Sequence, residues 1–235
     1  MVNAVLFDLD GTLADSGPII TQTISQTMRE LAGLDQPDDA YRRYVGPPLT
    51  SSFAHLGVAE PDIEAYIEYY RASYDKVHHQ TPVFEGVVDL LDTVREKGFA
   101  VALATSKLQT VAEKVVRNLG LVGHIDILCG SQPDEVHLGK PAVVEEALNQ
   151  LKAAGFLDEG AREEQGMDVP LRDDVVMVGD RIYDIEGARQ HGVRTILVTW
   201  GDSWPEEEAL AWKTADTPGE LVEILTALQT NGFDD

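Results

Sequence analysis

The chain has 235 residues, of which 43% are hydrophobic, enough to bury one large domain or a core domain with a smaller companion. A formal net charge of -23 disfavours nucleic acid and anionic membranes as partners. The single cysteine, Cys129, excludes an internal disulfide, and no signal peptide precedes the first predicted strand, so we expect a cytoplasmic protein.

The first predicted strand, Ala4–Leu9, is an apolar run typical of a buried parallel strand, and two aspartates lie at its end. Asp8 and Asp10 point to the same side of an extended chain, where their carboxylates repel unless a cation or a shared proton separates them. The pattern favours Mg²⁺, with Gly11 permitting a sharp turn and Thr12 offering a hydroxyl and an amide to an anion. An ordinary strand end followed by a turn is the alternative.

A long helical segment follows these aspartates. No strand is predicted between Ala14 and Thr81, and this stretch is too long for a simple crossover. Three parts of it carry apolar residues at helical spacing: Ile19–Leu31, Leu49–Leu56 and Ile63–Tyr74. We therefore predict a small helical cap domain, residues 15–81, inserted into a core made of residues 1–14 and 82–235. A cap above the aspartates would close over a substrate and exclude water.

The rest of the chain alternates between strands and helices. Further strands are predicted at Phe99–Thr105, Ile125–Cys129, Asp174–Gly179 and Val193–Thr199. Helices are predicted at Gly86–Lys97, Thr110–Leu119, Ala142–Leu151 and Leu221–Leu228. This order predicts an α/β fold, a Rossmann-like parallel sheet flanked by helices. The acidic stretch Gly155–Asp173 is predicted to be a surface loop.

Two candidate phosphate-binding segments precede predicted helices. Thr105 and Ser106 end the second strand, where hydroxyls and free amides at a helix N-terminus form an anion site. A helix cap is the alternative that this segment alone favours, and both can hold together. Lys140 stands between Gly139 and Pro141 at another helix start. A lysine there is unfavourable for the helix dipole, so an anion is its natural partner, with a solvated lysine as the alternative.

A second acidic pair follows the fourth strand. Asp180 and Asp184 are four residues apart at a strand-to-helix junction, so either a metal site or helix capping explains them. Because parallel strands end at one edge of a sheet, all these polar groups are expected in one cleft.

The order of these motifs resembles that of the haloacid dehalogenase-type hydrolase superfamily. The resemblance rests on Asp8-x-Asp10-Gly-Thr12, then Thr105-Ser106, then Lys140, then Gly179-Asp180-x-x-x-Asp184, and it covers nearly the whole chain.

The resemblance implies a role for each motif residue. Asp8 would be the nucleophile that forms an aspartyl-phosphate, and Asp10 would be the general acid and base. Thr105 or Ser106 would hold the transferring phosphoryl group, and Lys140 would neutralise it.

A Mg²⁺ cofactor is also implied, bound by Asp8, by the backbone carbonyl of Asp10 and by Asp180. Asp184 would bind the metal through water or support its direct ligands.

The helical insert resembles the type 1 cap of phosphoglycolate phosphatases, some nucleotidases and β-phosphoglucomutases. Within it, Arg42 and the segment Gly46-Pro47-Pro48 resemble a loop of phosphoglycolate phosphatase-like members, which implies that these residues select the substrate. A rigid turn between cap helices is the alternative.

The first functional hypothesis is a Mg²⁺-dependent phosphatase acting on a small phosphorylated metabolite: phosphoglycolate, a sugar phosphate or a nucleoside monophosphate. The alternative is a phosphomutase of the β-phosphoglucomutase kind that uses the same aspartyl-phosphate. A catalytically silent binding protein on this fold is a lesser alternative. No nucleic-acid or membrane partner is expected, and the protein is expected to be a monomer or a homodimer.

Overall fold

A computed structural model describes residues 2–133, 138–157 and 170–233. Within them, one parallel sheet has six strands in the order β3-β2-β1-β4-β5-β6. The strands are β1 (Ala4–Phe7), β2 (Ala100–Leu108), β3 (Ile127–Ser131), β4 (Val175–Gly179), β5 (Arg194–Val198) and β6 (Lys213–Ala215).

Nine α-helices lie in the same described ranges. They are α1 (Gly17–Ala32), α2 (Leu49–His55), α3 (Ile63–Val77), α4 (Val87–Glu96), α5 (Gln109–Asn118), α6 (Gly139–Ala153), α7 (Ile182–Arg189), α8 (Pro205–Glu208) and α9 (Pro218–Asn231). Short 3-10 helices connect some of them, including Asp38–Tyr44 between α1 and α2. None of the helices in the described part of the chain is both long and apolar enough to cross a membrane.

Helices cover both faces of the sheet, which explains the continuous apolar runs of its strands. Along β1, Val5 and Phe7 pack with residues of α4, α5 and α9, while Ala4 and Leu6 pack with residues of α6 and α7 on the other face. The predicted α/β fold with a parallel sheet flanked by helices is confirmed.

The helices between β1 and α4 build a hydrophobic cluster of their own. Phe53 of α2 is fully buried at its centre, with ring centroids 5.6 Å from Tyr66 and 6.4 Å from Tyr70 of α3. An isolated β-bridge joins Ala14 to Val83. The chain therefore leaves the sheet layer and returns to it at adjacent positions. The three predicted helices of this segment are confirmed, and its boundaries as a separate cap domain stay a prediction.

One strand differs from the expectations, and one predicted loop is largely untested. The strand β6 is absent from the sequence-based prediction because its three residues lie at the sheet edge, two of them exposed, and carry no apolar run. The predicted surface loop Gly155–Asp173 lies largely outside the described residues, which exclude 158–169.

Candidate active site

Three carboxylates and one ammonium group meet at the carboxyl edge of the central strands. Asp8 follows β1, Asp180 follows β4, Asp184 lies in the first turn of α7, and Lys140 lies in the first turn of α6. One oxygen of each carboxylate lies within 4.8 Å of the others. All four side chains are buried, with residue exposures of 7% or less. Because parallel strands end at the same edge of the sheet, residues that are up to 176 positions apart in the sequence come together here.

Lys140 is the cation of this cluster. Its Nζ lies 2.7 Å from Asp8 Oδ1 and 2.6 Å from Asp184 Oδ1, and it donates a hydrogen bond to the Ala104 carbonyl at 2.9 Å. Gly187 of α7 makes room for the lysine, since a Cβ there would lie 2.6 Å from Lys140 Cγ. Gly187 is not among the predicted site residues, since its only signal in the sequence is a glycine inside a helix.

The charges in this cluster are unbalanced. Burial raises the pKa of Asp8 to about 6; Lys140 opposes this rise, and Asp184 and Asp10 add to it. Burial, with repulsion from Asp184 and Asp8, also raises the pKa of Asp180 well above its usual range. Burial disfavours the charged form of Lys140, but Asp184 and Asp8 outweigh it and raise the lysine pKa, so the ammonium persists.

This donor set fits a divalent cation. One ammonium group cannot neutralise three buried carboxylates, and Mg²⁺ prefers carboxylate and carbonyl oxygens. Burial and the neighbouring carboxylates raise the pKa values of Asp8 and Asp180, so a bound cation would favour their charged forms. The metal-binding roles of Asp8, Asp10, Asp180 and Asp184 stay predictions, and the three carboxylates that meet here are chemically suited to them.

The turn after β1 holds Asp180 in place. Gly11 has a φ of 78°, and a Cβ there would lie 2.0 Å from Asp180 Oδ2. The Thr12 hydroxyl lies 3.4 Å from Asp180 Oδ1, and the Asp202 amide donates to Asp180 Oδ2 at 2.8 Å. Gly11 and Thr12 thus contact the Asp180 carboxylate. Their predicted phosphate-binding role stays a prediction.

A cavity of about 340 Å³ opens from the carboxylates towards the helices above them. Its floor includes Asp8, Asp10, Thr105, Ser106 and Lys107. The opposite wall is mostly apolar or aromatic and includes Ile20, Tyr44, Leu49, Ile67, Tyr70 and Tyr74. Thr105 and Ser106, the predicted phosphate-binding residues, therefore line the same space as Asp8 and Asp10.

Lys107 is a second buried ammonium group on the cavity floor. Its Nζ lies 3.0 Å from Asp10 Oδ2, and the Thr105 hydroxyl accepts a hydrogen bond from the Lys107 amide at 3.2 Å. Burial opposes its charge, but Asp10 and the tyrosines Tyr74 and Tyr70 raise its pKa above the usual range. Lys107 is not among the predicted site residues, since its only signal in the sequence is its place after Thr105 and Ser106.

The predicted substrate loop divides into two parts. Gly46, Pro47 and Pro48 line the cavity beside Asp8. Arg42 does not line it, and its Nε instead lies 2.9 Å from Asp202 Oδ1 at a separate depression. Its predicted role in substrate selection stays a prediction, and its described contact joins the helical segment to the loop after β5.

Arg181 also connects the helical segment to the part of the chain that follows β5. Its guanidinium pairs with Glu207 of α8 at 3.1 Å and donates to the Val45 carbonyl. Gly46 allows this approach, since its φ is 102° and a Cβ there would lie 3.2 Å from Arg181 Cγ. The position of the Gly46-Pro47-Pro48 turn over the cavity therefore depends on Arg181, which immediately precedes the helix that carries Asp184.

Comparisons with known proteins agree with this geometry. A family model described as haloacid dehalogenase-like hydrolase matches residues 5–198, and the chain belongs to this family. The tyrosine-protein kinase PtkA of Mycobacterium tuberculosis is 32% identical over 198 residues, which are 84% of this chain but only 62% of that protein. The chain therefore spans less than two thirds of that relative's length.

Two further comparisons cover more of the related chain. Pyrophosphatase PpaX of Halalkalibacterium halodurans is 32% identical over 201 residues, which are 84% of this chain and 83% of that protein. A crystal structure of a predicted phosphatase from Clostridium acetobutylicum has a TM-score of 0.84 and 29% identity, and the match covers 97% of this chain and 100% of that chain. The resemblance to the family is confirmed.

The turn at Gly11 generates a stability prediction with a matched control. Gly33 has a similar φ of 67°, but no atom lies within 4 Å of a Cβ placed there. Gly33→Ala is expected to lower the free energy of unfolding by ~1 kcal/mol through backbone strain alone. Gly11→Ala is expected to cost a further ~1–3 kcal/mol, because its methyl group displaces a buried, hydrogen-bonded carboxylate. Urea denaturation of both variants checks this, and equal losses would contradict it.

Proposed function

We propose that this protein is a Mg²⁺-dependent phosphatase that hydrolyses a small phosphorylated metabolite through an aspartyl-phosphate on Asp8. The observation that carries the proposal is the position of Asp8, which lies on the cavity floor with its Oδ1 2.7 Å from the Lys140 ammonium. A carboxylate attacks a phosphate only where the negative charge of both groups is screened. Asp8 is the carboxylate that both faces the cavity and contacts Lys140, so it is the proposed nucleophile.

In the first half of the proposed reaction, an oxygen of Asp8 attacks phosphorus and the bond to the leaving alcohol breaks. Asp10, which also faces the cavity, gives its proton to the departing oxygen. In the second half, Asp10 takes a proton from a water molecule that attacks the aspartyl-phosphate. Inorganic phosphate leaves, and Asp8 returns to its starting form.

Positive charge and hydroxyl groups around Asp8 support this chemistry. Lys140 and the hydroxyls of Thr105 or Ser106 are proposed to hold the phosphoryl oxygens. Mg²⁺, held by Asp8, Asp180 and the Asp10 carbonyl, would add a compact positive charge that screens the attacking carboxylate and the phosphate from each other. Asp184 holds Lys140 at 2.6 Å and so is proposed to position the lysine as well as to support the metal.

The cavity supports a substrate that is small but larger than phosphate alone. Its volume of about 340 Å³ lies near the lower end of the range typical of ligand pockets. The alcohol part of the substrate would contact the apolar and aromatic wall, and two exposed charged residues of α3, Glu64 and Arg71, lie along the same wall. Phosphoglycolate, sugar phosphates and nucleoside monophosphates form the proposed panel, with pyrophosphate added because of the relative PpaX.

Replacing the nucleophile is the direct test. Asp8→Asn is expected to lower kcat at least ~10³-fold, because the amide cannot form the aspartyl-phosphate. Phosphate release from the panel measures this, with Asp92→Asn as the matched control since Asp92 is an exposed aspartate on α4. Acid-quenched wild-type protein should yield a phosphorylated peptide that contains Asp8. Metal-dependent turnover retained in Asp8→Asn would overturn the proposal.

Metal removal is the second test. Chelation is expected to abolish phosphate release and added Mg²⁺ to restore it, because three buried carboxylates would otherwise repel the substrate. Since Asp8 must lose its proton to bind the metal, Mg²⁺ affinity should rise as the pH increases through about 6. Phosphate-release assays check the first statement. Calorimetric titration of wild-type protein and Asp180→Asn with Mg²⁺ at several pH values checks the second. Equal Mg²⁺ affinity in the two proteins would contradict the proposed metal site.

The turn over the cavity generates a prediction about substrate preference. The double variant Pro47→Ala with Pro48→Ala is expected to change the ratios of kcat/KM across the panel by about 5-fold or more, because both prolines line the cavity. Arg42→Met removes a contact outside that cavity, so a change in the ratios would support its predicted role in substrate selection, whereas a uniform fall in the rates would confine selection to the prolines. Ratios that change only in Arg42→Met would make Arg42, rather than the prolines, the selector.

A further inference from the structure

Lys107 joins the proposed general acid to the helical segment above it. Its Nζ lies 3.0 Å from Asp10 Oδ2 and donates a hydrogen bond to the Tyr74 hydroxyl of α3 at 3.1 Å. The lysine side chain is 10% exposed and Tyr74 is 5% exposed, so water competes little for either contact. Three separate parts of the chain thus meet at one ammonium group: the turn after β1, the end of β2, and α3.

The two oxygens of Asp10 have different surroundings. Oδ2 faces the Lys107 ammonium, whereas Oδ1 is buried and has no hydrogen-bond partner among the described residues. A carboxylate held through one oxygen keeps the other free to carry or accept a proton. The contact with Lys107 therefore fixes one oxygen of Asp10 and, with it, the orientation of the whole carboxylate at the cavity floor.

We propose that Lys107 is a positioning residue that orients Asp10 for proton transfer, and that Tyr74 makes this orientation depend on the position of α3. This inference rests on the proposed function, in which Asp10 protonates the leaving alcohol. When α3 packs over the cavity, the Tyr74 hydroxyl and Asp10 share the ammonium and fix its place. When α3 moves away, Lys107 loses one of its two partners and Asp10 loses a fixed orientation.

The competing role for Lys107 is direct binding of the phosphoryl group as a second cation. The two roles differ in their dependence on the leaving group. p-Nitrophenolate departs without a proton, whereas an alkoxide needs the proton from Asp10. A phosphate-binding lysine contributes equally to both kinds of ester, and a positioning lysine contributes mainly to the alkyl ester.

The experiment compares kcat/KM for p-nitrophenyl phosphate with kcat/KM for the best alkyl phosphate in the panel, because this quantity reports the step that forms the aspartyl-phosphate. In Lys107→Met, the alkyl ester is expected to lose about 10- to 100-fold more than the aryl ester. Lys107→Arg should recover part of this difference, since the guanidinium also pairs with a carboxylate. An equal loss for both esters would overturn the proposal in favour of phosphate binding.

Lys114→Met is the matched control. Lys114 of α5 pairs with Asp75, the neighbour of Tyr74 on α3, at 2.9 Å, so it also links the sheet layer to α3 but does not contact Asp10. Its ratio of alkyl to aryl kcat/KM should equal that of wild-type protein. A shift like that of Lys107→Met would show that loosening α3 alone explains the effect, and would overturn the positioning role.

Tyr74→Phe keeps the ammonium and tests the coupling even where Lys107→Met does not fold. It should shift the same ratio in the same direction by a smaller factor, and an unchanged ratio would overturn the link to α3. The Asp8→Asn result separates the two proposals. An inactive Asp8→Asn protein with an unchanged ratio in the Lys107 and Tyr74 variants rejects only the positioning role, whereas an active Asp8→Asn protein rejects the nucleophile itself.

Discussion

The ammonium of Lys140, held between Asp8 and Asp184, is the interaction on which the rest of the site depends. Three carboxylates buried within a few ångströms of one another repel strongly, and burial makes each charge expensive. Lys140 offsets part of this cost and also places positive charge beside Asp8. A single cation leaves the cluster short of positive charge, and a bound metal ion would supply it.

Close packing of backbone and side chains makes this concentration of charge feasible. Glycines stand where a Cβ would collide with a site residue: Gly11 against Asp180, Gly179 against Asp184, and Gly187 against Lys140. Each allows a charged side chain to lie directly on the neighbouring main chain, where amides and carbonyls hold it. The same main-chain contacts that stabilise the fold therefore aim the carboxylates, which ties the geometry of the site to the integrity of the sheet edge.

Several polar contacts link the helical segment to the sheet layer. Arg42 pairs with Asp202, Lys114 with Asp75, and Lys107 with the Tyr74 hydroxyl, while Arg181 reaches the Val45 carbonyl. Contacts of this kind exchange with water at a lower cost than a large apolar interface does, and such interfaces permit relative motion. By contrast, each layer has its own apolar cluster, and within these clusters the packing is tight.

The sequence by itself determined the parallel sheet, most of its helices and the set of acidic motifs, because apolar periodicity and strand-end residues are local signals. It also determined that Asp8, Lys140 and Asp180 would meet, since parallel strands share one carboxyl edge. Only the tertiary structure decided which groups pair: that Lys107 faces Asp10 and Tyr74, and that Arg42 contacts Asp202, 160 residues away. Such pairings depend on how separate layers pack in space, and no local pattern along the chain encodes them.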